Sequence, residues 1–227
     1  EECCKIIDQI AEVTPNAFLI LTGGEPLLRP DIYEIIRYAA DRKFMVVLGT
    51  NGTMINRVNA EKIKAAGAHG VGISIDSMNP DKHNKFRGVD KAWELSMDAF
   101  DILNEVGVDF LVQMSVSDMN YKEIPEVVEF TEKIGAIAFN LYFLVCTGRG
   151  QGNTDISNAA YEEALKMLYE QQMKYKGKLM INSKCAPQYK RVVYENDPES
   201  VYTRTYSGGC PAATHYSRTS PEGNLTP

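Results

Sequence analysis

Thr22-Gly23-Gly24-Glu25-Pro26 sets a carboxylate directly behind two residues without side chains, with a rigid exit after it. Consecutive glycines let the backbone approach a ligand closely, and a carboxylate beside free backbone carbonyls suits an ammonium group. A phosphate would instead want exposed N–H groups at the start of a helix. The plain alternative is a tight turn with a solvent-facing Glu25, since glycine pairs are common in turns. Further polar groups recur along the chain at Thr50-Asn51-Gly52, Ser74-Ile75-Asp76, Arg87-Gly88, Gln113 to Ser117 and Cys146-Thr-Gly-Arg149-Gly150.

These groups sit at the ends of apolar runs. Apolar residues at helical spacing predict helices over 2–13, 30–42, 58–66, 90–106, 122–134 and 157–175, and Pro30 suits a first helical turn. Continuous apolar stretches between them predict strands over 17–22, 44–48, 70–75, 108–115, 137–144 and 178–182. Uninterrupted apolar strands are what parallel strands covered by helices look like, and the alternation of the two predicts a parallel α/β sheet. Pattern alone does not separate an open doubly wound sheet from a barrel. In both, ligands bind at the C-terminal ends of the strands, where the polar groups fall.

Composition narrows the partners. The 227 residues are 44% hydrophobic with a formal net charge of -6, which suits a globular chain with a sizeable core and argues against a nucleic-acid backbone as partner. No apolar run reaches the length of a bilayer span and no basic-then-apolar leader opens the chain, so no membrane partner and a cytoplasmic protein are expected. The five cysteines, Cys3, Cys4, Cys146, Cys185 and Cys210, are odd in number and scattered, which favours reduced thiols or metal ligands over a disulfide framework.

Thr-Gly-Gly-Glu-Pro-Leu-Leu-Arg at 22–29, Thr-Asn-Gly-Thr at 50–53 and Ile-Ser-Ile-Asp-Ser at 73–77 resemble, in that order, the second, third and fourth strand ends of radical S-adenosylmethionine proteins. The resemblance implies a partial parallel (β/α)6-type barrel with its first strand upstream of Glu1. In that family the Gly-Gly-Glu-Pro strand end holds the amino group of the methionine moiety, a role it would give here to Gly23, Gly24, Glu25 and Pro26. It also implies that Thr50, Asn51 and Ser74 line the cofactor, so that Gly24, Thr50 and Ser74 should face one cavity. Asp76 would join them, or act as a helix cap or a structural carboxylate. Arg87 could fork onto the methionine carboxylate, as relatives carry an Arg-Gly pair here, or be a surface arginine. Gln113 could bond a ribose hydroxyl or be a structural amide, since a polar residue inside a buried strand needs a partner in any case.

The segment 141–150 is similar to the subgroup that matures tetrapyrroles in haem and modified-haem biosynthesis. Arg149 could there meet a substrate carboxylate, while Cys146 reads as a small buried hydrophobe. Near the end, twelve residues (211–222) separate Cys210 from Gly223 and four (224–227) follow it, which resembles the opening of a SPASM domain, an appended module that binds an auxiliary 4Fe-4S cluster. Ser220-Pro-Glu-Gly223 reads as its hairpin turn and Cys210 as one metal ligand, with an unpartnered thiol as the alternative. The expected division is 1–184 as the barrel and 185–227 as linker and SPASM-like beginning. The family's 4Fe-4S cluster needs Cys-x-x-x-Cys-x-x-Cys, which is absent, and adjacent Cys3 and Cys4 on a helix do not replace it; its ligands are expected upstream. The resemblance thus implies an enzyme that cleaves S-adenosylmethionine to a 5'-deoxyadenosyl radical and acts on a tetrapyrrole side chain, with ferredoxin or flavodoxin as electron donor. No catalytic acid or base is identifiable. A radical peptide maturase and a clusterless, non-catalytic binding domain remain the alternatives.

Overall fold

The computed structural model describes residues 1–14, 16–143, 156–200, 215–220 and 222–226. Helix α1 (Glu2–Val13) leads into β1 (Phe18–Leu21), followed by α2 (Ile32–Asp41), β2 (Met45–Thr50), α3 (Arg57–Ala65) and β3 (Gly70–Ser74). Next come α4 (Pro80–Arg87), α5 (Ala92–Val106), β4 (Phe110–Val116), α6 (Ile124–Lys133), β5 (Ala138–Phe143), α7 (Asn158–Lys174), β6 (Met180–Lys184) and α8 (Tyr189–Asn196). Six parallel strands pair in the order β1-β2-β3-β4-β5-β6 and curl into a half-barrel. A doubly wound sheet reverses its strand order at a switch point, and this one does not, which settles the alternative that periodicity left open.

Strand register separates two faces. Leu48, Val71 and Phe110 form one row, and Ile73, Val112, Phe139 and Ile181 the next; all are buried under the helices. Burying each such side chain contributes about 1.5–3 kcal/mol, so this face drives the fold. Phe100 of α5 and Phe130 of α6 extend it, with ring centroids 5.2 Å between Phe100 and Phe110 and 5.8 Å between Phe100 and Phe130. On the other, inner face, Gly49, Gly72, Leu111, Ala138 and Met180 share a row.

Helix α1 is fixed to α2 by polar contacts. The Tyr38 hydroxyl donates to Asp8 at 2.8 Å, and the Arg42 guanidinium, 3.4 Å from the Tyr38 ring centroid, also donates to Asp8. The Tyr38 hydrogen bond, followed by Arg42 and opposed by burial, holds the Asp8 carboxyl below the usual carboxylate range.

Two helices were not visible in apolar periodicity. Helix α4 buries only His83, so its sequence carries no hydrophobic stripe, but Asn79 caps its start, Pro80 opens it and Gly88 closes it at φ 66°. Helix α8 lies within the stretch expected to be linker. Its Tyr189, Val192 and Val193 are buried, and the Tyr189 hydroxyl donates to Gln172 of α7 at 2.9 Å, so the helical layer continues to Asn196. Near the end, β7 (Arg218–Thr219) and β8 (Leu225–Thr226) form an antiparallel pair around a turn in which the Gly223 N–H donates to the Ser220 carbonyl at 2.9 Å. Among the described residues no helix is long and apolar enough to cross a membrane.

Candidate functional site

The end of β1 is an open piece of backbone. Gly23 has φ 146°, which strains any L side chain, and a Cβ placed on Gly23 or Gly24 would meet nothing within 4 Å. Glu25 turns away from solvent into the next strand end. Its Oε1 accepts from the Thr50 hydroxyl at 2.6 Å and from the Leu27 N–H at 3.2 Å, and its Oε2 accepts from the Asn51 N–H at 2.9 Å. A carboxylate offers about four acceptor sites, so Glu25 has room for one further donor. Pro26 is buried as the first residue of a short 3-10 turn, Pro26–Leu28.

The β2 end is itself tightly built. Asn51 Oδ1 accepts from the Thr53 N–H and hydroxyl at 2.9 and 2.7 Å, and the Ser96 hydroxyl of α5 lies 3.0 Å from the Asn51 carbonyl. Gly52 has φ 83°, and a Cβ there would come within 3.0 Å of Ile73 and 3.1 Å of the Ser96 hydroxyl, so this turn admits only glycine.

Gly24, Thr50 and Ser74 share one end of the sheet but not one face. Thr50 is in register with Ile73 on the helix-covered side and is buried, its hydroxyl spent on Glu25. Ser74 lies one position on, in the inner row Ser74, Gln113, Asn140 and Asn182, which crosses β3 to β6. The expectation of one cavity faced by all three is corrected to this extent: Thr50 reaches the β1 strand end through Glu25, because strand alternation turns its side chain away from the inner face. Gln113 packs over Gly72, where a Cβ would stand 3.0 Å from its amide nitrogen. Asn182 Nδ2 donates to Asn140 Oδ1 at 3.0 Å. Asn140 and Asn182 escaped sequence reasoning. Asparagine inside an apolar strand was the available signal, but the row exists only once four strands are in register.

Asp76 is the hub of the β3 end and is 1% exposed. Its Oδ1 accepts from the Ser115 N–H at 2.9 Å and its Oδ2 from Arg87 Nε at 2.5 Å; its carbonyl accepts from Asn120 Nδ2 at 2.8 Å. Its own N–H donates to His83 Nδ1 at 3.2 Å, which places the neutral imidazole's proton on Nε2. That nitrogen is buried with no hydrogen-bond partner. Burial pushes the His83 pKa down, aided by Arg87 and opposed by Asp76 and Glu94. Both Asp76 carboxylate oxygens are thus bonded within the protein, and the cap of α4 is Asn79. Arg87, at the end of α4, is engaged with Asp76.

A second carboxylate ties the same loop to the next. Glu123 accepts from the Ser77 hydroxyl at 2.5 Å, the Met78 N–H at 3.2 Å and Lys82 Nζ at 2.7 Å. Burial raises its pKa, and these donors together outweigh that and hold it below the ordinary value.

Cys146, Arg149 and Cys210 lie outside the described residues. Cys3 and Cys4 are adjacent in α1, and among the described residues no three His, Cys, Asp or Glu side chains gather to hold a metal ion. The clefts on the helical layer are formed by residues such as Arg57, Glu61 and Glu105, and by Tyr33, Arg37 and Lys62, away from the strand ends described above.

Residues 1–131 match the family model of the radical SAM superfamily. Over its whole length the chain is 36% identical to the AdoMet-dependent heme synthase of Methanosarcina barkeri and 32% identical to that of Nitratidesulfovibrio vulgaris, covering 66% and 64% of those proteins. It therefore spans just under two thirds of the length of these two curated relatives. Among solved structures, SuiB of Streptococcus suis bound to S-adenosylmethionine superposes with a TM-score of 0.71 at 16% identity, over 91% of this chain and 48% of that one.

Proposed function

Since the chain belongs to the radical SAM superfamily, we propose that the strand ends of β1 to β4 bind S-adenosylmethionine and that the whole protein acts on a tetrapyrrole side chain in haem or modified-haem biosynthesis. The observation that carries the reading is the open Gly23-Gly24 backbone, fixed by Glu25 to the β2 end and set at the same sheet end as Ser74 and Gln113. Backbone carbonyls at Gly23 and Gly24, with the one acceptor site left on Glu25, suit the ammonium of the ligand. Ser74 and Gln113 offer hydroxyl and amide groups to its sugar. Thr50, Asn51 and Pro26 hold this edge in shape, and Asp76 does the same for the next loop by anchoring Arg87 and Ser115. Arg87 adds a guanidinium at the rim, open to the ligand carboxylate through its remaining N–H groups.

S-adenosylmethionine held here would, on one-electron reduction by the donor named below and cleavage of its C–S bond to release methionine, supply a 5'-deoxyadenosyl radical for hydrogen abstraction. The chain's part is to bind, orient and exclude water. The described cysteines do not fit the superfamily's 4Fe-4S cluster. The tetrapyrrole assignment draws on the heme synthases that the chain resembles over its full length. Arg149 as a substrate contact, Cys210 as ligand of an auxiliary 4Fe-4S cluster, a division at 184/185, and ferredoxin or flavodoxin as electron donor complete the proposal.

Anaerobic titration of the whole protein, following the porphyrinoid absorption band, tests it. A carboxylate-rich porphyrinoid should bind, and Arg149→Ala should weaken that binding by roughly ten- to a hundredfold while leaving S-adenosylmethionine affinity unchanged. No porphyrinoid binding would overturn the tetrapyrrole assignment and bring forward peptide modification.

A further inference from the structure

The inner face has two chemically different ends. Toward β1 to β3 it carries small residues, Gly49 under Thr22, Gly72 under Gln113, and Ser74, with the open Gly23-Gly24 backbone beyond the end of β1. Toward β5 and β6 it carries larger polar groups, of which Asn140, Asn182 and Lys184 belong to none of the strand-end motifs. Asn140 and Asn182 end the polar row, and two residues further along each strand, Ser115, Tyr142 and Lys184 form the next row on the same face.

Each of these groups can donate, and Lys184 can only donate. Asn140, buried at 8% exposure, accepts from Asn182 through its Oδ1, so its own amide N–H groups are not spent on that bond. Lys184 is exposed, and among the described residues no carboxylate pairs with it. Burial, with lesser contributions from Cys185 and Tyr216, pushes the Tyr142 phenol above its usual pKa, so it remains an O–H donor through neutral pH. A lysine, a phenol and an amide at neighbouring register positions of one sheet face match a carboxylate, which needs donors and one compensating positive charge.

We propose that Lys184, Tyr142 and Asn140 form a carboxylate-binding subsite at the β5–β6 end of the inner face, taking an acidic side chain of the substrate while the β1–β3 end takes the cofactor. Asn182 is the positioning residue that turns the Asn140 amide toward it. The inference rests on the tetrapyrrole reading above and adds to it where one substrate carboxylate sits and what makes the site prefer an acid to an ester.

The test uses coproporphyrin III and its tetramethyl ester, titrated without oxygen into the whole protein and into Lys184→Met, Lys184→Arg and Tyr142→Phe. The unmodified protein should bind the acid at least about tenfold more tightly than the ester. Lys184→Met should weaken acid binding by roughly ten- to a hundredfold and leave ester binding unchanged, and Lys184→Arg should restore most of the loss. Tyr142→Phe should fall between them, and S-adenosylmethionine affinity should be the same in all. Equal binding of acid and ester, or an acid preference that survives Lys184→Met, would overturn the subsite. So would an equal loss for acid and ester in Lys184→Met, which would mark the lysine stem as packing. Binding of neither porphyrinoid by the unmodified protein would instead remove the tetrapyrrole reading, and the subsite with it.

Discussion

The Thr50 hydroxyl donates to the Glu25 carboxylate across 2.6 Å, so the end of β2 holds in place the acidic residue of the β1 strand end. The same hydroxyl accepts from the Gly52 N–H at 3.1 Å. Thr50→Val keeps the shape and removes both bonds. Hydrogen bonds to charged groups are worth about 1.5–3 kcal/mol, so the variant should lose stability of that order in urea unfolding and bind S-adenosylmethionine more weakly by equilibrium dialysis. Unchanged stability would mean that Glu25 does not depend on Thr50.

Gly23 and Gly24 separate backbone strain from ligand approach. A Cβ on Gly24 meets open space and its φ is not in the left-handed range, so Gly24→Ala should fold with a stability change within about 0.5 kcal/mol. It should nonetheless bind S-adenosylmethionine less well, because the methyl group occupies the approach to the backbone. Gly23→Ala, at φ 146°, should lose both stability and binding. Wild-type affinity in Gly24→Ala would exclude this strand end from the ligand site.

Asp76 is 1% exposed and Arg87 24% exposed by side chain, so the two halves of their pair are not equivalent. Arg87→Ala leaves a buried carboxylate without its cation, and such losses run to about 3–5 kcal/mol. A loss below about 1 kcal/mol in thermal or urea unfolding would show that Asp76 needs no cation, and would free Arg87 for a ligand role alone.

His83 should make stability fall on mild acidification. Burial lowers its folded pKa below 6.5, so under that value the unfolded chain takes up a proton that the folded chain does not. Its contribution is complete above pH 6.5 and is lost as the pH drops toward the folded pKa. His83→Gln keeps an acceptor for the Asp76 N–H and does not titrate, so its stability should stay flatter between about pH 7 and 5.5 in urea unfolding. Glu123, whose folded pKa lies below 4.5, should add a second loss beneath that pH in both proteins. Parallel curves above pH 5 would remove His83 as the cause.

Six strands, their parallel arrangement and the placing of the Gly23-Gly24-Glu25, Thr50 and Ser74 groups at strand ends were legible in the sequence. The physical reason is local: apolar runs of strand length between amphipathic helices have few ways to bury themselves, and glycine and proline mark where the chain turns. Helix α4 was hidden because its one buried residue, His83, leaves no apolar repeat to detect, although Asn79-Pro80 and Gly88 spelled out its ends.

Only the tertiary structure decided which face each polar side chain occupies and what it touches. Register put Thr50 among the helix-facing residues and Ser74 with Gln113, Asn140 and Asn182 on the other side, a distinction that one residue of offset reverses. The same step brought Arg87, His83, Ser115 and Asn120 to Asp76, contacts that nothing in its local sequence announces. Sequence specifies the kind of chemistry a residue carries; which partner satisfies it is a long-range matter, because a buried polar group takes whatever donor or acceptor the packing of distant strands brings within reach.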